Sequence, residues 1–340
     1  MNVVSSRRRF DVRSESWPIA GTFRLSRGAK TRAEVVVVEL AAAGAVGRGE
    51  SVPYARYGES VEGVLAQLHA QSEAVCSGVT RAGLPALLPP GAARNALDCA
   101  LWDLEARMAG RPVHALAGLG APGPVVTSFT LSLDRPEAMG AAARRHAHLP
   151  ALKLKIGGRD GADLARVRAV RAAAPASRIS VDVNEGWGPE RYASLAPELA
   201  ALGVSIIEQP LRAGADEALA SLPRPVPVCA DESCHDRASL PALAGRYDLV
   251  NLKLDKCGGL TEALATRDEA RAAGFGIMVG CMVSTSLAVA PAFLVAQGAD
   301  AVDLDGPLLL ERDREHGLRC VAGQLKPPAP ALWGGSGDPS

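Results

Sequence analysis

Three acidic residues each follow an apolar run in the second half of the chain. The segments are VDVN with Asp182, IIEQP with Glu208 and VCADES with Asp231. The acids are about 25 residues apart, the length of one strand plus one helix in a βα repeat, so each is expected at the end of a parallel strand. Carboxylates that converge in this way repel one another unless a divalent cation lies between them. Oxygen ligands favour Mg²⁺ over zinc or copper, so the pattern predicts a Mg²⁺ site.

Lysines occur at two further strand ends. Lys153 and Lys155 alternate in ALKLKIG, so their side chains point the same way. In NLKLDKCGG, the terminal position of Lys256 before two glycines favours it over Lys253. Lysines on the second and sixth of eight strands lie nearly opposite each other, which suits removal of a proton from one face of a substrate and its return to the other. A free lysine has a pKa of about 10.4. We expect Mg²⁺ and Lys153 to lower the pKa of Lys155, and Lys153 to help bind a substrate oxyanion.

The elements that must position these residues form a repeat. From about residue 124, eight apolar segments alternate with Ala/Arg-rich helical segments, which predicts a parallel (β/α) barrel that closes near residue 305. The first 120 residues instead combine a β-branched run, AEVVVVEL at 33–40, with helical segments, which indicates an α+β domain. The predicted organisation is an α/β protein with an α+β domain at 1–120, a (β/α)8, TIM-like barrel domain at 121–310, and a C-terminal segment at 311–340 that packs back on the first domain.

The composition limits the kinds of partner and compartment. The 340 residues include 37 basic and 37 acidic ones, and this neutrality argues against nucleic acid or an anionic membrane surface as the main partner. The seven cysteines show no CxxC spacing, which favours free thiols in a reducing cytoplasm. No apolar segment follows the N-terminal arginines, so a signal peptide is not expected. The sequence leaves open whether the protein is a homo-oligomer.

The order of these groups along the chain resembles a known family. K-x-K, Asp, Glu, Asp and Lys on consecutive strand ends are similar to the enolase superfamily, within the muconate lactonizing enzyme subgroup. The resemblance covers nearly the whole chain and implies that the domain at 1–120 is a capping domain that closes over a modified (β/α)8 barrel, the catalytic domain. It implies one Mg²⁺ per subunit, bound by the three acids above, and an acid/base pair formed by Lys155 and Lys256. It also implies that Asn184 and Asp255 orient these groups.

A second acidic motif points to the substrate. Asp303 and Asp305 in AVDLDG share one face at the expected barrel mouth, where two extra acids suit a substrate with a free ammonium group. This D-x-D resembles that of the dipeptide epimerases, in which it binds the α-ammonium group of the dipeptide. The resemblance implies a Mg²⁺-dependent epimerase that moves a proton at Cα through an enediolate, acting on L-Ala-D/L-Glu or a similar dipeptide of murein peptide metabolism.

Other substrate contacts are expected around the D-x-D motif. The segments FRLSRGAKTRAEVVVVEL and ESVPYARYGES resemble the Ala-Glu epimerases, and Arg27, with Arg24, Lys30 and Arg32 nearby, offers a cation for an acidic side chain. Thr130 is the expected hydrogen-bonding residue of strand one, and the backbone around Met282 is expected to line the pocket from strand seven.

Two other functions remain as alternatives. An N-acylamino acid racemase or o-succinylbenzoate synthase would use the same fold, but its substrates lack the free ammonium group that D-x-D suits. Muconate cycloisomerisation is disfavoured for the same reason. A non-catalytic barrel that binds a partner is the alternative from another class, and the presence of both lysines and all three acids disfavours it.

Overall fold

The computed structural model describes residues 7–335. Its N-terminal unit contains an antiparallel sheet of three strands in the order β1 (Arg9–Leu25), β2 (Gly28–Ala42) and β3 (Ala45–Ser51). The β-branched run lies in the central strand, where Val35, Val36, Val37 and Val38 are all fully buried. Alternate valines therefore pack on opposite faces, Val36 and Val38 against the helices of this unit and Val35 and Val37 into the main core of the molecule.

Five helices complete the capping domain: α1 (Val61–Ala70), α2 (Ser72–Cys76), α3 (Leu84–Leu87), α4 (Ala92–Ala109) and α5 (Val113–Leu116). Helix α4 is one of the helices expected in the first 120 residues, and it is buried over almost its whole length. Strand β3 approaches it closely at Gly49, where a Cβ atom would lie 2.1 Å from the carbonyl oxygen of Ala96. Gly110, with a φ of 58°, ends the helix in the left-handed conformation that favours glycine.

The predicted barrel is confirmed. After the short strand β4 (Val125–Val126), eight parallel strands follow in sequential order: β5 (Phe129–Leu131), β6 (Ala151–Lys155), β7 (Arg178–Asp182), β8 (Val204–Glu208), β9 (Val228–Ala230), β10 (Leu249–Leu252), β11 (Gly276–Gly280) and β12 (Ala301–Asp303). The amide of Ser128, just before β5, donates to the carbonyl oxygen of Val302 in β12 at 2.9 Å, which brings the first and last strands together.

The helices around the barrel are less regular than the repeat suggests. They are α6 (Pro136–Arg145), α7 (Asp163–Ala173), α8 (Pro189–Ala201), α9 (Leu240–Leu243), α10 (Leu254–Cys257), α11 (Leu260–Ala272) and α12 (Ser286–Val295). The connection after β8 contains only a 3₁₀ turn at Glu217–Ala220, and α10 is a single turn that begins directly after β10. In the described part of the chain, no helix is long and apolar enough to cross a membrane.

The C-terminal segment contacts both units. Strands β13 (Cys320–Val321) and β14 (Gln324–Leu325) form a small antiparallel sheet with β4. Further along, the indole of Trp333 donates to the carbonyl oxygen of Cys99 in α4 at 3.1 Å, and the amide of Gly334 donates to Asp103 in the same helix. Residues 1–6 and 336–340, which belong to the first and last predicted segments, lie outside the described residues.

Candidate active site

The three predicted carboxylates meet at one end of the barrel. Asp182 and Glu208 are the last residues of β7 and β8 and are paired in register, and Asp231 directly follows β9. One oxygen from each carboxylate lies within 4.8 Å of the others, and all three side chains are buried. Parallel strands place their carboxyl ends on one rim, so the sequence spacing is sufficient to bring these acids together.

The electrostatics of these acids fit a cation. Burial, and then the neighbouring charge of Asp182, raise the pKa of Glu208 to about 7. Burial also acts to raise the pKa of Asp182, but Lys155 and Lys153 outweigh it and lower that pKa to about 2. Among the described residues, Glu208 Oε2 is buried and accepts no hydrogen bond, and Lys153 Nζ forms an ion pair with it at 2.7 Å. A buried, oxygen-only donor set with an oxygen still to be satisfied fits Mg²⁺.

Lys153 and Lys155 extend from β6 toward the same acids. Lys153 Nζ lies 2.6 Å from Asp303, 2.7 Å from Glu208 and 3.3 Å from Asp182. Burial acts to lower the pKa of Lys153, but these carboxylates outweigh it and hold the pKa well above its ordinary value. Lys155 Nζ forms a single ion pair with Asp182 at 2.5 Å. Both lysines line a cavity of about 600 Å³ at the barrel mouth.

The geometry corrects the prediction for Lys256. Its ammonium group donates to the main-chain oxygen of Asp231 at 2.5 Å, to Asp231 Oδ1 at 2.7 Å and to the carbonyl oxygen of Asn251 at 3.0 Å, and its side chain is fully buried. Lys253 lines the cavity, and Lys256 is not among the described residues that do so. Strand β10 ends at Leu252, so Lys253 is the residue at the strand end and Lys256 lies one helical turn later.

Lys253 therefore occupies the place expected of the second lysine. Its Nζ lies 2.7 Å from Asp231 Oδ2, across the acids from Lys155. Gly280 of β11 leaves room for this side chain, because a Cβ atom there would lie 3.0 Å from Cε of Lys253 and 2.7 Å from Oδ1 of Asn251. The alternation of Lys253 with Asn251 on the strand was the sequence signal that could have identified it.

The D-x-D pair lies at the end of β12, which is two strands from β10 and opposite β8 in the eight-stranded ring. Asp305 Oδ2 accepts a 2.6 Å hydrogen bond from the amide of Thr130, and burial, followed by the charge of Asp303, raises the pKa of Asp305 to about 7. Asp303 Oδ2 accepts a hydrogen bond from Lys153, but its Oδ1 is buried and has no hydrogen-bond partner within residues 7–335. Thr130 and Met282 line the cavity beside these acids, and their contacts with a substrate stay predictions.

Arg27 reaches the cavity from the capping domain, but it is not a free cation. Its Nη1 lies 2.7 Å from Glu232, 3.1 Å from Glu185 and 3.0 Å from the main-chain oxygen of Asn184. The sequence analysis expected Arg27 to be available for a carboxylate of the substrate and did not predict that acids of the protein already pair with it. Glu232 is buried and directly follows Asp231. This pair of adjacent acids was the feature of the sequence that could have predicted a partner for Arg27. Lys30 lines the same part of the cavity, whereas Arg24 faces Asp134 at 3.8 Å.

The two predicted orienting residues have different positions. The amide of Asn184 donates to Asp182 Oδ1 at 3.0 Å, and its side-chain Nδ2 donates to Glu232 at 3.3 Å, so Asn184 does contact the rim. Asp255 instead accepts hydrogen bonds from the amide of Val52 and from Asn95 Nδ2, at 2.9 and 2.8 Å. It joins the barrel to the capping domain, because its side chain starts from α10 and not from the strand end.

Two residues that the sequence analysis missed orient the acids. Asn251 Nδ2 donates to Glu208 Oε1 at 2.9 Å, and Gln209 Oε1 accepts from the amide of Asp231 at 2.9 Å. Both are fully buried. Such buried amides restrict the directions in which the carboxylates point, which is how outer partners tune a metal site.

Comparison with protein families agrees with this arrangement. Residues 7–118 match the N-terminal domain of mandelate racemase / muconate lactonizing enzyme, and residues 137–330 match the enolase C-terminal domain-like family. With a capping domain over an eight-stranded barrel and three acids on its rim, the chain belongs to the mandelate racemase/muconate lactonizing enzyme family of the enolase superfamily.

Within that family, the chain is similar to enzymes that act on glutamate derivatives. It is 45% identical over 314 residues to the L-Ala-D/L-Glu epimerase of Escherichia coli (strain K12), with 92% of this chain and 98% of the relative covered. It is also 45% identical over 307 residues to the N-acetyl-D-glutamate racemase of Pseudoalteromonas sp, with 89% and 96% covered.

Solved structures extend the likeness to ligand complexes. An enolase family member from Agrobacterium tumefaciens with homology to dipeptide epimerases, with bound sodium and L-Ala-L-Glu, is 49% identical, has a TM-score of 0.94 and covers 96% of this chain and 100% of its own. A dipeptide epimerase from Enterococcus faecalis V583 complexed with Mg and L-Leu-L-Tyr is 29% identical, with a TM-score of 0.89 and coverage of 98% and 99%.

Proposed function

We propose that the protein is a Mg²⁺-dependent dipeptide epimerase that inverts Cα of the second residue of L-Ala-L-Glu. The observation that carries this proposal is the placement of Lys155 and Lys253 on either side of the buried acids. Their strands, β6 and β10, are four apart in an eight-stranded barrel, which places them on opposite sides of the ring. A substrate held above the acids would present one face of its Cα to each lysine.

The two lysines exchange a proton with the two faces of Cα. In one direction, neutral Lys155 removes the proton and charged Lys253 delivers one to the other face; in the reverse direction, the roles are exchanged. Mg²⁺ bound by Asp182, Glu208 and Asp231 would supply the positive charge that stabilises the enediolate formed on deprotonation. Lys153, buried among carboxylates, keeps its proton and adds a fixed positive charge next to the substrate oxygens.

The D-x-D motif selects for a free ammonium group. Asp303 Oδ1 is a buried acceptor to which no described residue donates, and an ammonium group would provide the donor that it lacks. An N-acetyl or N-succinyl group carries no positive charge and would leave buried acids uncompensated. This favours a dipeptide over the N-acylamino acid alternative, although a relative of equal identity is an N-acetyl-D-glutamate racemase.

Isotope exchange separates these two substrate classes. The enzyme with Mg²⁺ is incubated in D₂O with L-Ala-L-Glu, N-acetyl-L-Glu or N-succinyl-L-Glu, and deuterium at Cα is measured together with formation of the other epimer. We expect L-Ala-L-Glu to exchange at least about tenfold faster than either acyl compound, and Asp303→Asn to reduce the dipeptide rate by about tenfold or more. Faster turnover of N-acetyl-L-Glu would replace the epimerase assignment with a racemase.

The cysteines support a reducing compartment, and we propose the cytoplasm. All seven are free thiols in the structure, and Cys99, Cys229, Cys234 and Cys257 are buried. Proteins that remain in oxidising compartments more often use such residues in disulfides. Fractionation of the producing cells tests this assignment, and recovery of the protein outside the cytoplasmic fraction would contradict it.

A further inference from the structure

A second cavity adjoins the first at the edge of the barrel mouth. It has a volume of about 450 Å³ and is lined by the loops after β6, β7 and β8 together with the capping domain. Its charged lining residues are four arginines and one glutamate: Arg27, Arg56, Arg159, Arg212 and Glu185. Gly157 and Gly186 leave space where these loops meet, because a Cβ atom on Gly186 would lie 2.7 Å from the carbonyl oxygen of Gly157.

The charges in this second cavity are unbalanced. Glu185 is bound by Arg56 through two hydrogen bonds of 2.7 and 2.8 Å, and it also pairs with Arg27 at 3.1 Å. Arg159 and Arg212 are exposed, and their side chains form no ion pair or hydrogen bond with any residue that the structure describes. These two unpaired guanidinium groups lie beside a carboxylate that already has its own arginine partners. They form a site for an anion, and the guanidinium group is well suited to bind carboxylates.

The boundary between the two cavities has its own hydrogen-bonding requirement. Arg27 and Asn184 line both cavities. Asn184 is 4% exposed; its Nδ2 donates to Glu232, and its Oδ1 has no hydrogen-bond partner in the described part of the chain. Since Arg27 is already paired with Glu232 and Glu185, this boundary needs an N–H donor more than another negative charge. The side-chain carboxylate of L-Ala-L-Glu can contact Arg27 but supplies no hydrogen for Asn184 Oδ1, whereas an amide group supplies one.

The backbone holds Asn184 at this boundary under strain. Asn184 and Glu185 are consecutive non-glycine residues with φ of 47° and 67°. The main-chain oxygen of Asn184 accepts hydrogen bonds from Ser26 Oγ at 3.1 Å and from Arg27 at 3.0 Å, so the capping domain keeps the loop in place. Left-handed conformations of such residues persist where the surrounding structure enforces them, and they concentrate at functional sites.

The proposed substrate orientation connects this boundary to the reacting residue. The ammonium-binding acids lie at the end of β12, whereas Arg27 lies over the loops after β7 and β9, across the mouth. A dipeptide with its ammonium group at Asp303 and its Cα between the lysines would direct the side chain of its second residue toward Arg27. The end of a glutamate side chain would then lie at the boundary, and any group attached to it would enter the second cavity.

Resting on the proposed dipeptide epimerase function, we propose that the second cavity is a subsite for an acidic residue joined by an amide bond to the side-chain carboxyl group of the reacting glutamate. The substrate class therefore includes γ-glutamyl peptides of the form L-Ala-γ-Glu-X, in which X carries carboxylates. The amide N–H donates to Asn184 Oδ1, and the carboxylates of X pair with Arg159 and Arg212. The α-carboxylate of the glutamate stays free, as the reaction at Cα requires.

A matched pair of tripeptides tests the subsite. The probe is L-Ala-γ-L-Glu-L-Glu, and its comparison compound has both carboxylates of the third residue replaced by carboxamides. With the Mg²⁺-loaded enzyme in D₂O, deuterium at Cα of the second residue is followed by NMR. We expect kcat/KM for the probe to equal or exceed that for L-Ala-L-Glu, and to fall by about tenfold or more for the uncharged compound.

Paired variants locate the effect. Arg159→Ala/Arg212→Ala should reduce kcat/KM for the charged tripeptide by about tenfold or more and change that for L-Ala-L-Glu by less than about twofold. Arg178→Ala/Arg319→Ala is the matched control, because these arginines are also exposed but do not line either cavity. Calorimetric binding of the tripeptide to Lys155→Ala, with and without the arginine substitutions, gives a readout that does not depend on turnover.

The outcomes separate the subsite from the function on which it rests. If L-Ala-L-Glu is epimerised but the charged tripeptide neither binds nor exchanges, the subsite is wrong and the epimerase stands. If both compounds react and the arginine pair changes them equally, the second cavity does not bind the extension and the proposal is again overturned. If neither compound exchanges or binds, both proposals fail.

Discussion

The two ends of the barrel interior differ in chemistry although the same strands build them. Toward the amino ends of the strands lies an apolar cluster, and each of its members precedes a residue of the site by two positions: Ile206 before Glu208, Cys229 before Asp231, Leu249 before Asn251, Met278 before Gly280 and Ala301 before Asp303. Successive inward-facing residues of a strand are two apart. Along each of these strands, the apolar packing residue and the residue of the site are therefore consecutive inward-facing positions.

The comparison explains how buried charges are tolerated in this fold. At the apolar end, the inward side chains fill the barrel and face each other directly. At the rim, each acid has a lysine or an amide as its partner, and the loops and the capping domain supply the rest of the enclosure. The rim can be polar because its partners come from several elements, whereas the apolar cluster consists of strand residues alone.

Substitution of two inward-facing residues of β8, one at the rim and one in the apolar cluster, should give the largest contrast. Glu208→Gln should reduce epimerisation by at least about 10³-fold, because it removes a charged ligand from the metal site that stabilises the developing negative charge. Ile206→Val, two residues earlier, should retain activity and lower the free energy of unfolding by only about 0.5–1.5 kcal/mol. Isotope exchange and thermal unfolding measure the two effects. Chelation with EDTA should abolish wild-type activity and added Mg²⁺ should restore it; wild-type turnover in metal-stripped Glu208→Gln would contradict the metal site.

Substitution of the two lysines that follow β10, Lys253 and Lys256, tests which of them belongs to the catalytic rim. Lys253→Met should reduce epimerisation by about 10²–10⁴-fold, because the proton can no longer be delivered to one face of Cα. Exchange of one epimer in D₂O through Lys155 should remain detectable. If Lys253→Met epimerises as fast as wild type, the proposed second base is wrong.

Lys256→Met is the matched variant. It removes a buried ammonium group that holds Asp231 through two of its oxygens, so the expected effect is a Mg²⁺ requirement increased about 10–100-fold with substantial recovery of kcat at saturating Mg²⁺. Titration of activity and of Mg²⁺ binding separates the two roles. A loss of turnover that Mg²⁺ does not restore would return the catalytic role to Lys256.

At the apolar end, Met278→Ala should affect stability and leave the chemistry intact. Met278 is fully enclosed, with its sulfur 3.9 Å from that of Cys229, and its truncation should lower the free energy of unfolding by about 2–5 kcal/mol. Denaturant unfolding gives this value, and kcat/KM per folded molecule should stay within about twofold of wild type. A large fall in kcat with unchanged stability would show that the two ends are not separable.

The smallest expected effect concerns Asp255, which joins the rim region to the capping domain. Burial raises the pKa of Asp255 to about 7, so the folded state holds a proton that the unfolded state releases above about pH 4. The free energy of unfolding should therefore fall with rising pH by about 1 kcal/mol per unit between about pH 5 and 7. Asp255→Asn should remove this contribution and keep an acceptor for Val52 and Asn95. Unfolding measured across pH tests it, and identical slopes for both proteins would contradict the raised pKa.

Much of the fold and site follows from local pattern in the chain. The eight strand segments, the positions of Asp182, Glu208 and Asp231 at their ends, and the paired Lys153 and Lys155 were all readable in the sequence. The reason is that strand alternation and the parallel βα repeat determine, from spacing alone, which residues face inward and at which rim they lie. The D-x-D motif at Asp303 and Asp305 was readable for the same reason.

Only the tertiary structure decided which residues pair across elements. Strand β10 ends at Leu252, so Lys253 reaches the cavity, whereas Lys256 lies one helical turn later and contacts Asp231. The spacing in the sequence does not distinguish these two positions. Asp255 bonds to the capping domain, and Arg27 is paired with Glu232, because residues distant in sequence supply their partners. The second cavity likewise exists only where five separate segments of the chain meet. Alternation along one strand sets the direction of a side chain, but its partners depend on how the chain packs.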